Sequence, residues 1–256
     1  MSFPFHDKVA IVTGGGRGIG AAYCEALAQH GATVVVADID PKASQETATT
    51  IVKDGGDAHA LRLDVGSEES VRQAIKHIDA RYGKVDFLIN NAAIVLDVKK
   101  PFKPFWEIEW EEWARVMAVN AGGIYLCCKY VKPIMEKQGG GRIVNIGSDS
   151  IWKGYESQLA YFASKGAVAV MTRCLARELG PFNINVNCLA PGLTLSDSTI
   201  QSPDMQRVKP LVIASQCIKR EQMPRDLVGT VLFLCSDASA NITGQTIVVN
   251  LGAIMP

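Results

Sequence analysis

The sequence lacks an excess of charge of either sign. Its 26 Lys and Arg residues equal its 26 Asp and Glu residues, so the formal net charge at pH 7 is zero. Proteins that coat nucleic acids need an excess of basic side chains against the phosphates, so we expect no nucleic-acid partner. Apolar residues make up 48 % of the chain, which is enough for a sizeable buried core.

The sequence also lacks long apolar runs and cysteine pairs. No run approaches the ~18 residues that cross a membrane, and the first residues do not resemble a secretory signal. The seven cysteines are odd in number and have no CxxC spacing, and the four histidines have no ligand spacing. We therefore expect a cytoplasmic protein with free thiols, no membrane association and no metal site.

Segments typical of strands and of helices alternate along the chain. Alternation of this kind predicts right-handed βαβ units and a parallel sheet. We predict one α/β domain over residues 1–256, a doubly wound parallel sheet of about seven strands with helices on both faces. The predicted strands are residues 9–13, 33–37, 58–63, 87–89, 142–146, 184–189 and 246–249. The predicted helices are residues 19–30, 67–82, 108–137, 157–179 and 226–235, with one more beginning at Pro41 after an Asp40 cap.

Two long segments, residues 93–107 and 193–223, interrupt this alternation. Both follow the carboxyl ends of predicted strands, where open α/β sheets bind their ligands. Long connections in a compact domain are often functional lids. We therefore predict that residues 193–223 form a substrate lid.

A glycine cluster at residues 13–20 lies between the first predicted strand and the first predicted helix. Its glycines allow a tight turn and a close approach of the backbone to a pyrophosphate, which the helix N-terminus attracts. The sequence therefore predicts a dinucleotide site here. The predicted contacts in this loop are Gly14, Arg17, Gly18, Ile19 and Gly20.

Asp38, at the end of the second predicted strand, bears on the choice of cofactor. A carboxylate at this place can accept hydrogen bonds from the adenosine ribose and repels a 2′-phosphate, which favours NAD over NADP. Arg17 favours the opposite choice, because it could pair with that phosphate. We give Asp38 more weight, since Arg17 can simply face solvent, and we predict NAD as the cofactor rather than NADP.

Several motifs occur in one order that resembles the short-chain dehydrogenase/reductase family, over essentially the whole chain. They are the glycine loop, Asn-Asn-Ala-Ala at residues 90–93, Asn120, Ser148, Tyr161-x-x-x-Lys165 and Pro191-Gly192. The resemblance implies a single Rossmann domain, hydride transfer between a nicotinamide cofactor and a small alcohol or carbonyl compound, and a homotetramer. A second YxxxK begins at Tyr125, but only Tyr161 has a serine 13 residues upstream.

The predicted catalytic residues are Asn120, Ser148, Tyr161 and Lys165. Tyr161 and Lys165 are one helical turn apart, so the ammonium is expected to lower the pKa of the phenol and make it a base. Ser148 can donate a hydrogen bond to the substrate oxygen. The resemblance implies that Asn120 holds a water next to Lys165, and that Lys165 also contacts the nicotinamide ribose.

The resemblance implies further cofactor contacts. They are Asp64 and Val65 at the adenine, Asn90, Asn91 and Ala92 along the cofactor, Tyr161 and Lys165, Pro191 and Gly192 at the nicotinamide, and Thr194 or Ser196 at its carboxamide. Two departures from the usual family pattern are Ala93 in place of a glycine and Asn250-Leu251-Gly252 in place of Asp-Gly-Gly.

The substrate pocket is predicted from aromatic residues near Ser148 and Tyr161. Trp152 and Tyr155, with the apolar residues 211–214 of the lid, indicate an apolar, cyclic or aromatic secondary alcohol or ketone. A second tryptophan group, Trp106, Trp110 and Trp113, has the spacing of one helical face, and we predict that it lies in the core.

Two other functions fit parts of this pattern. An NADPH-dependent 3-oxoacyl-carrier-protein reductase would share every catalytic motif, but Asp38 argues against its cofactor. A non-catalytic cofactor-binding scaffold would not need the complete set of Ser148, Tyr161 and Lys165.

Overall fold

The computed structural model describes residues 3–95, 103–154 and 156–255. Seven strands in this part of the chain form one parallel sheet in the order β3-β2-β1-β4-β5-β6-β7. The strand order reverses between β1 and β4, and the crevice at this switch point is where open α/β sheets bind ligands. The predicted doubly wound, Rossmann-like sheet is confirmed. The strands are β1 (Val9–Thr13), β2 (Thr33–Asp38), β3 (Asp57–Arg62), β4 (Phe87–Asn90), β5 (Gly141–Ile146), β6 (Ile184–Pro191) and β7 (Thr246–Val249).

Nine α-helices occur in the described ranges, and several begin where the sequence predicts. Asp40 accepts hydrogen bonds from the backbone of Lys42 and Ala43 and caps the helix that starts at Pro41. The helices are α1 (Gly18–Gln29), α2 (Pro41–Lys53), α3 (Glu68–Tyr82), α4 (Trp110–Met117), α5 (Gly123–Lys137), α6 (Leu159–Leu179), α7 (Asp197–Gln201), α8 (Pro203–Ser215) and α9 (Arg225–Cys235). None of them is both long and apolar enough to cross a bilayer.

The core consists of two apolar layers, one on each face of the sheet. Alternate residues of β1 serve the two layers: Val12 packs with α1 and α9, whereas Ile11 packs with α3, α5 and α6. Strands β1, β4 and β6 are buried along their whole length, as is typical of the central strands of a parallel sheet that is covered on both faces. The sheet is therefore packed on both faces, and the loops that follow its strands extend from its carboxyl edge.

The prediction that the tryptophan group lies in the core is wrong for two of its three members. Trp106 is 73 % exposed and Trp110 is 72 % exposed, while Trp113 is half-buried. The helical spacing does not apply to Trp106, because that residue lies in a short 3₁₀ turn, Phe105–Glu107, and the backbone is extended at Ile108 before α4 begins.

The predicted lid, residues 193–223, contains two helices, α7 and α8. Its two ends are joined to each other, because Thr194 pairs with Gln222 in a parallel bridge, and Gln222 also donates to the carbonyl of Val249 in β7 at 2.9 Å. Leu211, in its apolar stretch, is exposed. The other long segment, residues 93–107, lies partly outside the described residues.

Candidate active site

The glycine loop is held at the carboxyl edge of the sheet by residues of two strands. The Thr13 hydroxyl accepts hydrogen bonds from the backbone N–H groups of Asn91 (3.0 Å) and Ala92 (3.1 Å). The Asn91 amide donates to the carbonyls of Thr13 and Gly14, both at 3.0 Å. The Asn91 side chain, just after β4, therefore holds the glycine loop in place through these two hydrogen bonds.

Glycine is required at several points of this loop. Gly14 has a φ of 62°, and a Cβ there would lie 2.8 Å from the Cα of Ala92. A Cβ at Gly20 would lie 2.6 Å from the Asn91 amide nitrogen. No side chain caps α1, so the N–H groups of its first turn can bind an anion. The loop thus fits the pyrophosphate of a dinucleotide.

The Asp38 carboxylate is oriented by backbone groups beside this loop. Its Oδ2 accepts from Gly16 N at 2.9 Å, and its Oδ1 accepts from Asp40 N at 3.0 Å. The side chain is half-buried at the end of β2. The next strand ends beside it, because Leu63 N donates to Asp38 O at 2.8 Å, which brings Asp64 and Val65 to the same edge.

Arg17 forms an ion pair with Asp40 on the outer side of the loop. Backbone hydrogen bonds from Ala43 and Lys42, together with the Arg17 charge, hold the pKa of Asp40 below its usual value. The Arg17 guanidinium is exposed to solvent and paired with the Asp40 carboxylate. The arrangement agrees with the expectation that Arg17 can face solvent.

Lys165 lies on α6 and is 3 % exposed. Its ammonium donates a hydrogen bond to the carbonyl of Ile146 at 2.7 Å and lies 5.8 Å from the ring centroid of Tyr161. Burial lowers the pKa of Lys165 to about 8. The predicted Tyr–Lys neighbourhood is therefore present on one face of the helix.

The phenol of Tyr161 lies near the hydroxyl of Ser148, which follows the end of β5. Desolvation raises the pKa of Tyr161 to about 12, the Ser148 hydrogen bond lowers it and the Asp149 charge raises it further. The sequence predicts a lowered pKa instead. The pKa is raised because desolvation outweighs the other effects, and the Lys165 ammonium donates its hydrogen bond to the Ile146 carbonyl.

Asn120 lies in a π-helical turn, Ala118–Gly122, which separates α4 from α5 within the predicted helix 108–137. Its Oδ1 accepts from Ile94 N at 2.7 Å, and its Nδ2 donates to Ile94 O and to the Ser164 hydroxyl, both at 3.0 Å. The side chain thus ties the segment after β4 to α6, one residue before Lys165. Its role in holding a water stays a prediction.

Asn90 uses its side chain inside the sheet rather than at the cleft. Its amide nitrogen donates to Asn145 Oδ1 at 2.9 Å, and the Asn145 amide donates to the Thr172 hydroxyl at 3.0 Å. This buried chain links β4, β5 and α6. A contact of Asn90 with a cofactor would have to come from its backbone.

The sequence leaves open whether Thr194 or Ser196 meets the carboxamide, and the two hydroxyls have different surroundings. Thr194 is buried; its hydroxyl donates to Gly192 O at 3.0 Å and accepts from Gln222 at 3.1 Å. Ser196 is half-buried, and its hydroxyl is hydrogen-bonded to that of Thr199 at 3.1 Å. It lies against the glycine loop, since a Cβ at Gly18 would be 3.2 Å from the Ser196 Cβ, and this position favours Ser196.

Pro191 ends β6, and Gly192 follows it beside Asp149. Gly192 N donates to Val249 O at 2.9 Å, and a Cβ at Gly192 would lie 2.7 Å from the Asn250 Cβ. The chain therefore needs a glycine here. Among the predicted substrate residues, Trp152 is 39 % exposed and ends the 3₁₀ turn that follows Ser148, whereas Tyr155 lies outside the described residues.

The buried charges of Asp149 and Lys153, close to Ser148, are not predicted from the sequence. Asp149 is 5 % exposed and forms an ion pair with Lys153 at 2.7 Å. An acid and a lysine four residues apart, immediately after the candidate serine, could have indicated them. Within the described ranges, no group of His, Cys, Asp and Glu residues has the arrangement of a metal site.

Removing the Lys165 charge should stabilise the fold. The folded pKa of about 8 lies below the ordinary value of ~10.4, so the ammonium destabilises the fold up to pH 8, and the penalty disappears as the pH rises towards the unfolded value. We expect Lys165→Met to raise the free energy of unfolding at pH 7 by about 1–2 kcal/mol, after the lost hydrogen bond to Ile146 is subtracted.

The measurement is chemical denaturation between pH 7 and 10, where the gain from Lys165→Met should shrink above pH 8. Lys129→Met is the matched control, because Lys129 is the exposed lysine of the second YxxxK and pairs with Glu68. It should give no gain. A Lys165→Met gain that is constant over this pH range would contradict the lowered pKa.

Comparison with known proteins gives a consistent result. A family model described as "Enoyl-(Acyl carrier protein) reductase" matches residues 14–253. Cyclopentanol dehydrogenase of Comamonas sp. (strain NCIMB 9872) is 35 % identical over 96 % of this chain and 97 % of that protein. The protein named "Probable galactose dehydrogenase GalD" of Rhizobium meliloti is also 35 % identical, over 98 % of this chain and 96 % of that protein.

A solved structure shows the same fold over the full length. The crystal structure of a short-chain type dehydrogenase/reductase from Mycobacterium marinum superposes with a TM-score of 0.92 at 30 % sequence identity. The superposition covers 100 % of this chain and 98 % of that one.

Proposed function

The chain belongs to the short-chain dehydrogenase/reductase family, and from this premise we propose that it is an NAD-dependent oxidoreductase that interconverts a secondary alcohol and its ketone. The observation that carries the choice of NAD is the Asp38 carboxylate, which backbone groups hold beside the glycine loop. A 2′-phosphate at this place would meet a fixed negative charge.

The residues of the cleft would hold the cofactor in an extended form. The glycine loop and the N-terminus of α1 would bind the pyrophosphate, and Asp38 would bind the adenosine ribose. Lys165 would reach the nicotinamide ribose, and Ser196 would face the carboxamide. When bound, NAD⁺ accepts the hydride and brings positive charge next to Tyr161.

Side chains of this protein would accept the proton that the alcohol hydroxyl loses. Ser148 would hold the substrate oxygen by a hydrogen bond, and Tyr161 would accept the hydroxyl proton of the alcohol. Below pH 8 Lys165 carries a charge. Its hydrogen bond goes to Ile146, but a positive charge 5.8 Å from the ring centroid would still favour a phenolate at Tyr161. Asn120 would fix the segment after β4 against α6, so that Lys165 stays in place.

We propose an apolar, cyclic or aromatic substrate. Trp152, directly after the serine turn, is accessible enough to contact a ring. The similarity to a cyclopentanol dehydrogenase supports a cyclic alcohol, while the similarity to a protein named as a galactose dehydrogenase supports a hydroxylated one. The first of these agrees with the aromatic side chain beside the site.

The test is an absorbance assay of reduced nicotinamide with cyclopentanol, cyclohexanol, 1-phenylethanol and galactose, each with NAD⁺ and with NADP⁺. We expect the cyclic or aromatic alcohols with NAD⁺ to give a kcat/KM at least about tenfold above the other combinations, which corresponds to ~1.4 kcal/mol. A preference for galactose would overturn the substrate class and leave the cofactor proposal standing.

The second candidate is an NADPH-dependent 3-oxoacyl-carrier-protein reductase. Arg17 in the glycine loop favours it, and so does the similarity to a 3-oxoacyl-[acyl-carrier-protein] reductase of Synechocystis sp., which is 35 % identical over 97 % of this chain. The ion pair of Arg17 with Asp40 and the position of Asp38 weigh against it. Reduction of a 3-oxoacyl thioester by NADPH, in preference to NADH, would establish this alternative. The paired Ser148 and Tyr161 weigh against a non-catalytic scaffold.

The remaining proposals concern the organisation of the protein. We propose a single NAD-binding domain over residues 1–256, with residues 193–223 as the substrate lid, in a cytoplasmic homotetramer. Exposed Tyr125 on α5 and Val170 on α6 offer apolar area for subunit contacts. Light scattering should give a mass four times that of the 27.6 kDa chain.

A further inference from the structure

A buried ion pair lies immediately beside the candidate catalytic serine. Asp149 follows Ser148 in the 3₁₀ turn, and its Oδ2 accepts a hydrogen bond from the Lys153 ammonium at 2.7 Å. The exposed fractions of the two side chains are only 7 % and 10 %. Charges that have lost this much hydration are costly unless they stay paired, so each of these residues depends on the other.

A third side chain completes the surroundings of this carboxylate. Asn250, which follows β7, donates from Nδ2 to Asp149 Oδ2 and to Ile254 O, both at 3.2 Å. Its Oδ1 accepts from Gly252 N at 3.1 Å. An aspartate at this place would set a second carboxylate against Asp149. The neutral Asn250 amide therefore adds no second negative charge and donates a hydrogen bond to the buried Asp149 carboxylate.

The carboxylate acts on Tyr161 through space. Tyr161 lies near Ser148, the neighbour of Asp149, and the Asp149 charge raises the pKa of Tyr161. On α6 the group that faces the phenol is Lys165, with its ammonium 5.8 Å from the ring centroid. On β6 the nearest titratable group is Cys188, which is close to Lys165. The charge balance around Tyr161 thus includes Asp149 and its partner.

We infer that Lys153 is a positioning residue: by pairing with Asp149, it prevents an uncompensated carboxylate from opposing the negative charge that forms on Tyr161. The inference rests on the proposed role of Tyr161 as the base. Loss of the Lys153 charge alone makes Tyr161 harder to deprotonate. Loss of the Asp149 charge alone makes it easier, and loss of both charges restores the balance.

The first measurement is the pH dependence of kcat/KM for cyclopentanol oxidation by NAD⁺. We expect the midpoint of the acid limb to move up by about 0.5–1 pH unit in Lys153→Met and down by a similar amount in Asp149→Asn, the size expected of one partly shielded charge nearby. In the double variant the midpoint should return close to that of the wild type. Lys153→Arg keeps the charge and should keep the wild-type midpoint.

The second measurement needs no alcohol substrate. Ultraviolet difference titration reports the phenolate of Tyr161 in NAD⁺-saturated protein when each variant is compared with the same variant carrying Tyr161→Phe. The midpoints should follow the same order: Lys153→Met highest, Asp149→Asn lowest, the double variant between them. Thermal unfolding of each variant shows which of them are folded.

The outcomes separate the inference from the proposed function. If the pair only supports the turn, the single variants lose rate or stability, their midpoints coincide, and the double variant is no better than either single one; that result overturns the inference. Ordered midpoints without oxidation of any alcohol support the inference and remove the substrate proposal. If Tyr161 does not ionise in any variant, the inference and the proposed base both fail. Should Lys153→Met not fold, Asp149→Asn and Lys153→Arg still decide the order.

Discussion

Replacing Tyr161 by phenylalanine should lower kcat/KM for alcohol oxidation by about 10²–10⁴-fold, the usual contribution of a positioned acid or base. The ring stays on α6, and only the hydroxyl that meets Ser148 is lost. Because the phenol of Tyr161 titrates near pH 12 in the structure, it is neutral at pH 7 to 9 and its loss should leave the fold intact. The measurement is steady-state kinetics, together with the Kd for NAD⁺, which should change little.

Tyr125→Phe is the matched control for this variant. Tyr125 also begins a YxxxK sequence, but it lies exposed on α5 and Lys129 is its partner four residues on. We expect wild-type kinetics from this variant. Equal rates for the wild type and Tyr161→Phe would remove Tyr161 from the mechanism, and a large loss in Tyr125→Phe would show that the selection by serine spacing is wrong.

The positions of the strands along the chain and the placement of the glycine loop follow from the sequence, because short apolar runs and glycine clusters act locally. The apolar residues 33–37 predict a strand that is buried on both faces, and Asp40-Pro41 predicts the start of a helix. The neighbourhood of Tyr161 and Lys165 follows equally from one turn of helix.

The features that the sequence did not reveal depend on contacts between distant segments. The exposure of Trp106 depends on an extended backbone just before α4, which the residue spacing does not encode. The pKa of Tyr161 depends on how far the folded chain buries the phenol. The hydrogen bond of the Lys165 ammonium goes to the carbonyl of Ile146, which lies in β5. The Asn250 contact with Asp149 joins residues that are 101 positions apart.

Replacing Asp38 by asparagine should change the cofactor preference more than any other single substitution in the adenosine part of the cleft. The variant loses the charge, and one of the two backbone donors, Gly16 N or Asp40 N, loses its acceptor. We expect kcat/KM with NAD⁺ to fall about 10–100-fold, the equivalent of one charge-assisted hydrogen bond of roughly 1.5–3 kcal/mol. With NADP⁺ it should rise, because the repulsion of the 2′-phosphate is gone.

Asp40→Asn tests the neighbouring ion pair separately. Asparagine caps a helix as well as aspartate does, so α2 should be preserved while Arg17 loses its partner. Exposed ion pairs contribute only ~0–1 kcal/mol, so the gain with NADP⁺ should stay below about fivefold. The double variant, with Arg17 free and no carboxylate at position 38, should then prefer NADP⁺. If Asp38→Asn leaves the ratio of the two cofactors unchanged, the carboxylate does not select NAD, and Arg17 becomes the residue on which selection depends.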